Sequence, residues 1–249
     1  MELVVLFVLV GLGILAFAWW RQRQLAASHA MLLQRDGLSS TSTPCGWTAG
    51  DLVQLRACPR GDRRYGIDHG VTGPVEIAVA GGGRSHAECA AFVWWWEEKR
   101  TNRDATGHSS TSYHRQARVV GALRLPADVP RVSIAPEGVL TRWGLGGRGD
   151  FQVESEEFNR RFDVRLADAE DALVIRLLDP GLQAFLLDGY AGRHLELAGD
   201  VLLIAGDPPG CDPDFFGEVG ELPVARRDVV AVAGAIPESF WRGLQAGGA

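Results

Sequence analysis

Residues 194–204 read His194-Leu195-Glu196-Leu197-Ala198-Gly199-Asp200-Val201-Leu202-Leu203-Ile204. Two runs rich in branched apolar residues flank Gly199-Asp200, a pair suited to the positive φ of a tight turn, so the stretch predicts a β-hairpin. A hairpin makes its sheet antiparallel. Working back toward the N-terminus, the same reading recurs. Val75–Val79 alternates, as does part of Ala87–Lys99 through Ala91, Val93, Trp95 and Glu97. Residues 100–112 read as a polar hairpin loop, longer than the common two to five residues. Ala117–Leu125 is a third strand ended by Pro126. Arg131–Ala135 is a fourth, ended by Pro136-Glu137-Gly138, and Val139–Trp143 a fifth before a glycine-rich turn.

The second half mixes element types. Phe151–Glu154 reads as a strand and Ser155 as the cap of one helical turn holding Glu156–Asn159. Phe162–Arg165 is a strand again. Asp168 caps a helix with Leu173, Leu177 and Leu178 on its apolar stripe. Pro180 breaks it after Asp179 and starts a second helix, Leu182–Leu187, stopped by Gly189. Asp212-Pro213 opens a short helix through Phe215 and Phe216, and Val224–Ala235 is a last helix ended by Pro237. Strands closed by hairpins, with helices collected in the C-terminal half, predict an α+β fold on an antiparallel sheet.

The N-terminus is different. Leu3–Trp20 is a run of eighteen apolar residues, twelve of them Leu, Ile, Val or Phe, closed by Trp19-Trp20 and then Arg21-Gln22-Arg23. At about 1.5 Å per residue a helix of that length spans roughly 27 Å, close to the hydrocarbon core of a bilayer. Insertion favours the membrane by about 4–7 kcal/mol as an upper bound. A cleaved signal peptide fits poorly, because Glu2 makes the start acidic and bulky tryptophans occupy the place of a small-residue cleavage site. Positive charge follows the span at Arg21, Arg23 and Arg35 and none precedes it, so the N-terminus is expected outside and the rest in the cytoplasm. The expected division is an anchor over 1–20, a juxtamembrane helix over 21–37, a flexible linker over 38–44 and an α+β domain over 45–249. The helix rests on Leu25, His29, Leu32 and Leu33, with Gly37 as its stop.

A net charge of −6 argues against a nucleic-acid surface. Of 25 basic residues only Lys99 is lysine, and Asn occurs only at 102 and 159, a pattern of GC-rich coding. Cys45, Cys58, Cys89 and Cys211 are irregularly spaced and read as free thiols in a reducing compartment, with disulfides reopened if the topology is inverted.

Chemical signatures are weak. His86-Ala87-Glu88-Cys89 copies the His-x-Glu of zinc deaminases, but the required Pro-Cys-x-x-Cys is missing, Cys211 being the only later cysteine. A zinc site from Cys58, His69, His86 and Cys89 lacks paired ligand spacing. Gly144–Gly149 matches Gly-x-Gly-x-x-Gly without the strand-to-helix context of phosphate binding, and Arg148-Gly149-Asp150 is an incidental tripeptide in a cytoplasmic domain. Asp68-His69, and Ser109, Ser110 and Ser112 near His108 and His114, supply Ser-His-Asp residue types without a nucleophile motif. The nine carboxylates of Asp150–Asp179 read as a solvated face. In Trp94-Trp95-Trp96 a strand sends Trp95 to one side and its neighbours to the other, so Trp94 and Trp96 are either core or a candidate interaction patch. No cofactor, metal or specific small molecule is inferred.

One phrase carries a resemblance. Phe151-Gln-Val-Glu-Ser-Glu-Glu-Phe-Asn-Arg-Arg-Phe-Asp-Val164, then Asp168 and the Leu177-Leu178-Asp179-Pro180 break, resembles a family of uncharacterised actinobacterial single-pass membrane proteins. Gly46-Trp47, Arg124-Leu125-Pro126, Pro136-Glu137-Gly138 and Ile236-Pro237 match its plan. The similarity is strongest over 118–190 and departs over 76–100. It implies the domain boundaries and no activity. The expected function is a membrane-anchored binding or scaffold protein or an accessory subunit of a membrane complex, with a protein partner in such a complex as the candidate and the activity open. The alternative is a membrane-tethered hydrolase using His69 or His114; no catalytic motif converges, so the enzyme question stays open and leans to no.

Overall fold

The computed structural model describes residues 10–17, 19–20, 23–24, 27, 30–31, 33–34, 38–79, 83–103, 107, 109–137, 151–166, 171–206 and 221–247. Six strands among them form one antiparallel sheet: β1 Ser39–Thr41, β2 Tyr65–Val79, β3 Gly83–Arg103, β4 Ser109–Pro136, β5 Phe162–Leu166 and β6 Arg193–Gly206. Besides the helical residues described in the N-terminal run and a 3₁₀ turn at Pro44–Gly46, the helices are α1 Ala49–Leu52, α2 Glu156–Arg161, α3 Asp171–Leu177, α4 Pro180–Gly189, α5 Glu221–Ala235 and α6 Glu238–Gly247. The α+β class with an antiparallel sheet stands.

The organising element is β4, a single strand of 28 residues. Its first half pairs with β3 (Arg103↔Ser109 through Cys89↔Leu123) and its end with β5 (Val132↔Leu166 through Pro136↔Phe162). β6 takes the opposite edge along both parts. The predicted third and fourth strands are therefore one, and Pro126 does not end it. The chain continues through an irregular stretch between Arg124 and Val132, where the register to β6 shifts twice.

The same shift overturns the predicted hairpin at 194–204. Gly199 has φ +57°, but the chain does not reverse there: Leu195–Leu197 pair with Ile134–Val132, and Val201–Ala205 pair with Arg124–Val120. The Gly-Asp step changes which face each residue serves. Leu195 and Leu197 face the helices before it; Leu202 and Ile204 do so after it, while Val201, Leu203 and Ala205 turn to the opposite face. Without that change the apolar residues of one half would face the wrong layer. Turn and bulge both need a residue tolerating left-handed backbone, so the local sequence does not separate them.

The sheet is covered on both faces. On one lie α2–α6, packed on Leu123, Val132, Ile134 and their neighbours. Gly121 lets α5 approach: a Cβ there would stand 2.2 Å from the Ala225 carbonyl oxygen. On the other face lies residues 44–60, here called the strap, whose Cys45, Trp47, Leu52, Leu55, Ala57 and Cys58 bury against β3, β4 and β6. Thr48 and Asp51 close a reciprocal capping box on α1.

Several local readings hold. Ser155 accepts from the Phe158 amide at the start of α2, and Asp179 accepts from Leu182 at the start of α4, with Pro180 in the first turn. Others do not. Residues 39–41, expected within a flexible linker, form β1 and pair with Thr72–Gly70, because Leu38 is buried and anchors the segment. Within the expected loop 100–112, residues 100–103 and 109–112 are strand and pair with each other, Thr101 opposite Thr111, Thr being a good solvent-side strand former. Phe151–Glu154 is not a strand, although the Phe151 amide donates to the Val164 carbonyl. Pro237 is followed by a further helix, α6, which buries Phe240 and Trp241. The expected strand at 139–143, the cap Asp168 and the helix at 212–216 lie outside the described residues. Among the described residues no helix is long and apolar enough to cross a membrane; residues 1–9 and 18 of the expected anchor lie outside them.

Candidate functional site

Three strand pieces alternate strictly, and their polar phases meet. Arg131 and Ser133 on β4, Asp163 and Arg165 on β5, and His194 and Glu196 on β6 all project from the face opposite the helices, as Val132, Ile134, Phe162, Val164, Leu195 and Leu197 belong to the helix-side core. The register places Ser133 between Arg165 on one side and Glu196 on the other. Such a polar face ordinarily meets water. Here the strap covers it: Glu196 is 1% exposed, His194 3% and Arg165 7%.

The strap is irregular after α1, so its backbone groups need partners that no ladder supplies. The polar cluster provides them. The Ala57 amide donates to Glu196 Oε2 at 2.8 Å, and Arg131 donates from Nε to Glu196 Oε1 at 3.0 Å and from Nη2 to the Gln54 carbonyl. Arg118, buried on β4, donates to the Ala57 carbonyl at 3.4 Å and lies over the Trp96 ring. Arg165 is paired with Asp163 through Nε and Nη2 at 3.1 and 2.9 Å. Arg56 enters from the strap; burial depresses its pKa, and the nearby Arg165 and Arg131 add to the effect while Glu196 and Asp163 oppose it.

Ser133 Oγ and His194 Nε2 share a hydrogen bond of 2.9 Å. This is nucleophile–base spacing, but burial, followed by the charges of Arg118, Arg56 and Arg131, pushes the imidazole pKa down to about 3. A base that weak is far from the value near operating pH that proton transfer needs. The dyad is instead an acid-sensitive element. The unfolded histidine titrates near 6.5, so between about pH 3 and 6.5 the unfolded chain binds the extra proton. The contribution is complete above pH 6.5 and is lost as pH falls toward 3. Urea titrations should show stability falling steeply below pH 6.5 in the native chain, and a visibly flatter profile over that window in His194→Gln. Parallel profiles for the two proteins would refute this assignment.

The residues singled out from sequence lie elsewhere. Trp94 and Trp96 are not a surface patch: they are 0% and 7% exposed, under the strap, with Trp94 Nε1 donating to the Pro59 carbonyl and Tyr65 stacked on Trp94. Trp95, on the other side, carries the Arg115 guanidinium at 4.0 Å. His69, His86 and His114 are exposed on β2, β3 and β4. His69 occupies a bulge with φ +51°, Asp68 pairs with Arg115, and His114 contacts Ser112 on its own strand at 3.1 Å. Among the described residues no three His, Cys, Asp or Glu side chains cluster as a metal would require. Cys58 belongs to the strap and packs on one face of the sheet, while Cys89 points to α5 on the other. Cys45, Cys58 and Cys89 are free and buried; burial raises all three thiols, Cys89 to about 12. His108, Cys211 and the stretch 144–150 are outside the described residues.

Sequence reasoning missed the covered cluster because alternation reports which residues share a face, never whether that face is wet. The available signal was the coincidence of polar phases in Arg131-Val-Ser133, Asp163-Val-Arg165 and His194-Leu-Glu196. Compared with known protein families, curated proteins and solved structures, the chain has no match.

Proposed function

We propose that this protein is a membrane-anchored binding or scaffolding module or an accessory subunit of a membrane complex, with its α+β domain on the cytoplasmic side. The observation that carries the reading is the N-terminal run. Its described helical residues hold Val10, Leu12, Ile14, Leu15, Phe17, Trp19 and Trp20 between 53% and 67% exposed, an apolar surface on all sides with no protein layer over it. The Arg23 guanidinium over Trp19, at 4.6 Å, supports a membrane–water boundary at that point. The hydrolase reading has no comparable support, as His69, His86 and His114 do not converge.

The full chain should stay in the membrane pellet through alkaline carbonate extraction, and deleting residues 3–20 should release it. In mild detergent at native expression it should migrate with a stoichiometric partner. A reporter fused after Ala249 should be active in the cytoplasm. Labelling of native Cys45 or Cys58 does not test topology, since both are buried with raised pKa values. Exposed Ser110→Cys serves instead and should resist impermeant reagents on intact cells. Carbonate release of the full chain, or strong external labelling at 110, defeats the anchored or the cytoplasmic part respectively.

A further inference from the structure

We propose that the ribbon formed by the ends of β3 and β4 docks an acidic, extended peptide segment of a partner protein, which adds a strand along the outer edge of β3. The inference rests on the binding-module part of the reading above and not on membrane anchoring. Carbonate extraction and co-migration with a partner test that reading separately, so either can fail alone.

The strands of the sheet differ in length. β2 stops pairing with β3 at Tyr65↔Trp96, and β6 reaches along β4 only to Val120↔Ala205. β3 and β4 continue together without a register shift from Glu97↔Arg115 to Arg103↔Ser109. This ribbon is exposed from Lys99 to Arg103 and from Ser109 to His114, and no described strand flanks it. A two-stranded ribbon alone is marginal in water, and its outer edges are templates for a further strand. The last bonds of β3 fix which groups face outward. The Glu97 amide donates to the Arg64 carbonyl, the Glu97 carbonyl accepts from the Asp62 amide, and the Lys99 amide donates to Asp62 Oδ2 at 2.7 Å. By the two-residue period, Thr101 and Arg103 also turn their amides outward, away from β4. A carboxylate already meets this edge at Lys99, as an acidic strand would meet it further on.

Charge selects the occupant. Residues 60–64 and 97–115 hold seven Lys or Arg against four Asp or Glu, which is +3 in a chain of −6, so the remainder carries −9. Arg63 lies over the Tyr113 ring at 5.2 Å, which brings the segment 60–64 to the ribbon. Two of the carboxylates are engaged, Asp62 with the Lys99 amide and Glu98 with the Trp96 indole. Among the described residues no carboxylate lies within ion-pair distance of Arg60, Arg64, Lys99, Arg100 or Arg103. A second copy of the ribbon would bring the same cations to the edge, so self-pairing is disfavoured. A bilayer is disfavoured as well, because Glu97–Arg115 holds no Leu, Ile, Val, Phe or Trp to sink into it. An acidic strand satisfies both demands. Its main chain bonds the outward amides of Thr101 and Arg103, and its carboxylates meet Lys99 and Arg103, which share a face.

The test is fluorescence anisotropy of labelled peptides titrated with the full chain in phosphatidylcholine nanodiscs. A peptide of alternating Thr and Glu should bind at least about tenfold more tightly than one of alternating Thr and Lys. It should exceed by about the same factor its own N-methylated form, which keeps the charge and cannot donate main-chain bonds. Hydrogen exchange at Thr101 and Arg103 should slow when the Thr-Glu peptide binds. Thr101→Pro removes an outward amide and leaves the ladder to β4 intact, and should weaken that peptide about tenfold. Lys99→Glu combined with Arg103→Glu should weaken it at least as much and favour the Thr-Lys peptide instead. The peptide comparison needs no variant, so it decides the matter even where a variant fails to fold. No Thr-Glu binding, equal binding of the N-methylated form, or unchanged affinity in folded Thr101→Pro overturns the proposal. Displacement of the peptide by phosphatidylglycerol vesicles also overturns it, and makes the ribbon a lipid-facing surface.

Discussion

Glu196→Ala is expected to destabilise the domain by about 3–5 kcal/mol, the range for breaking a buried charge pair by removing one partner. Three losses coincide. The Ala57 amide loses its acceptor, Arg131 loses its carboxylate, and a cluster already holding more guanidiniums than carboxylates loses one of its two negative charges. Glu196 is 1% exposed, so water does not readily replace the oxygens. Glu196→Gln keeps the shape and an acceptor for Ala57, and should cost less than the alanine variant while still weakening the strap. Urea unfolding followed by tryptophan emission is a suitable measurement, since Trp47, Trp94 and Trp96 all lie in the strap-side core. A loss below about 1 kcal/mol for the alanine variant would show that strap and sheet are held by apolar packing alone.

Phe158→Ala should cost a similar amount, about 3–5 kcal/mol, by a different mechanism: lost transfer energy and a residual cavity. Phe158 is 0% exposed and stacks on Phe162 with ring centroids 4.8 Å apart, so α2 is fastened to β5 by this pair. Phe162→Ala should behave alike. Exposed Glu156→Ala on the same helix should remain within about ±0.5 kcal/mol and serves as the control. Chemical denaturation of the three variants separates the outcomes. A normally stable Phe158→Ala that loses partner binding would identify the ring as an anchor, a role for which its complete burial leaves no surface.

The legible parts of this fold were those in which a residue acts on its own neighbourhood. Ser155 and Asp179 cap helices through amides three residues away, and Pro180 sits in a first turn where its missing N–H costs nothing. Alternation along 87–99 and 117–125 reported strands because side-chain direction is a property of the single strand. Each failure involved a partner distant in sequence. Gly199-Asp200 is compatible with a turn or a bulge, and the length of β4 alongside β6 selects the bulge. Ser39–Thr41 carry no apolar signal and become a strand because Gly70, beside the bulge at His69, lets β2 receive them. Trp94 and Trp96 are core because residues 44–60 fold over them, which nothing in the triplet specifies.

By itself, then, the sequence determined the element types, the antiparallel α+β class, the helix caps and an apolar N-terminal run, all consequences of backbone propensity and periodicity within a few residues. Only the tertiary structure decided that the polar phases of β4, β5 and β6 are covered, that Arg118, Arg131 and Arg165 of the sheet meet Arg56 of the strap, and that His194 is held neutral there. Burial and electrostatics depend on which segment covers which face. That choice is made by packing across 139 residues of chain between Ala57 and Glu196, beyond the reach of any local pattern.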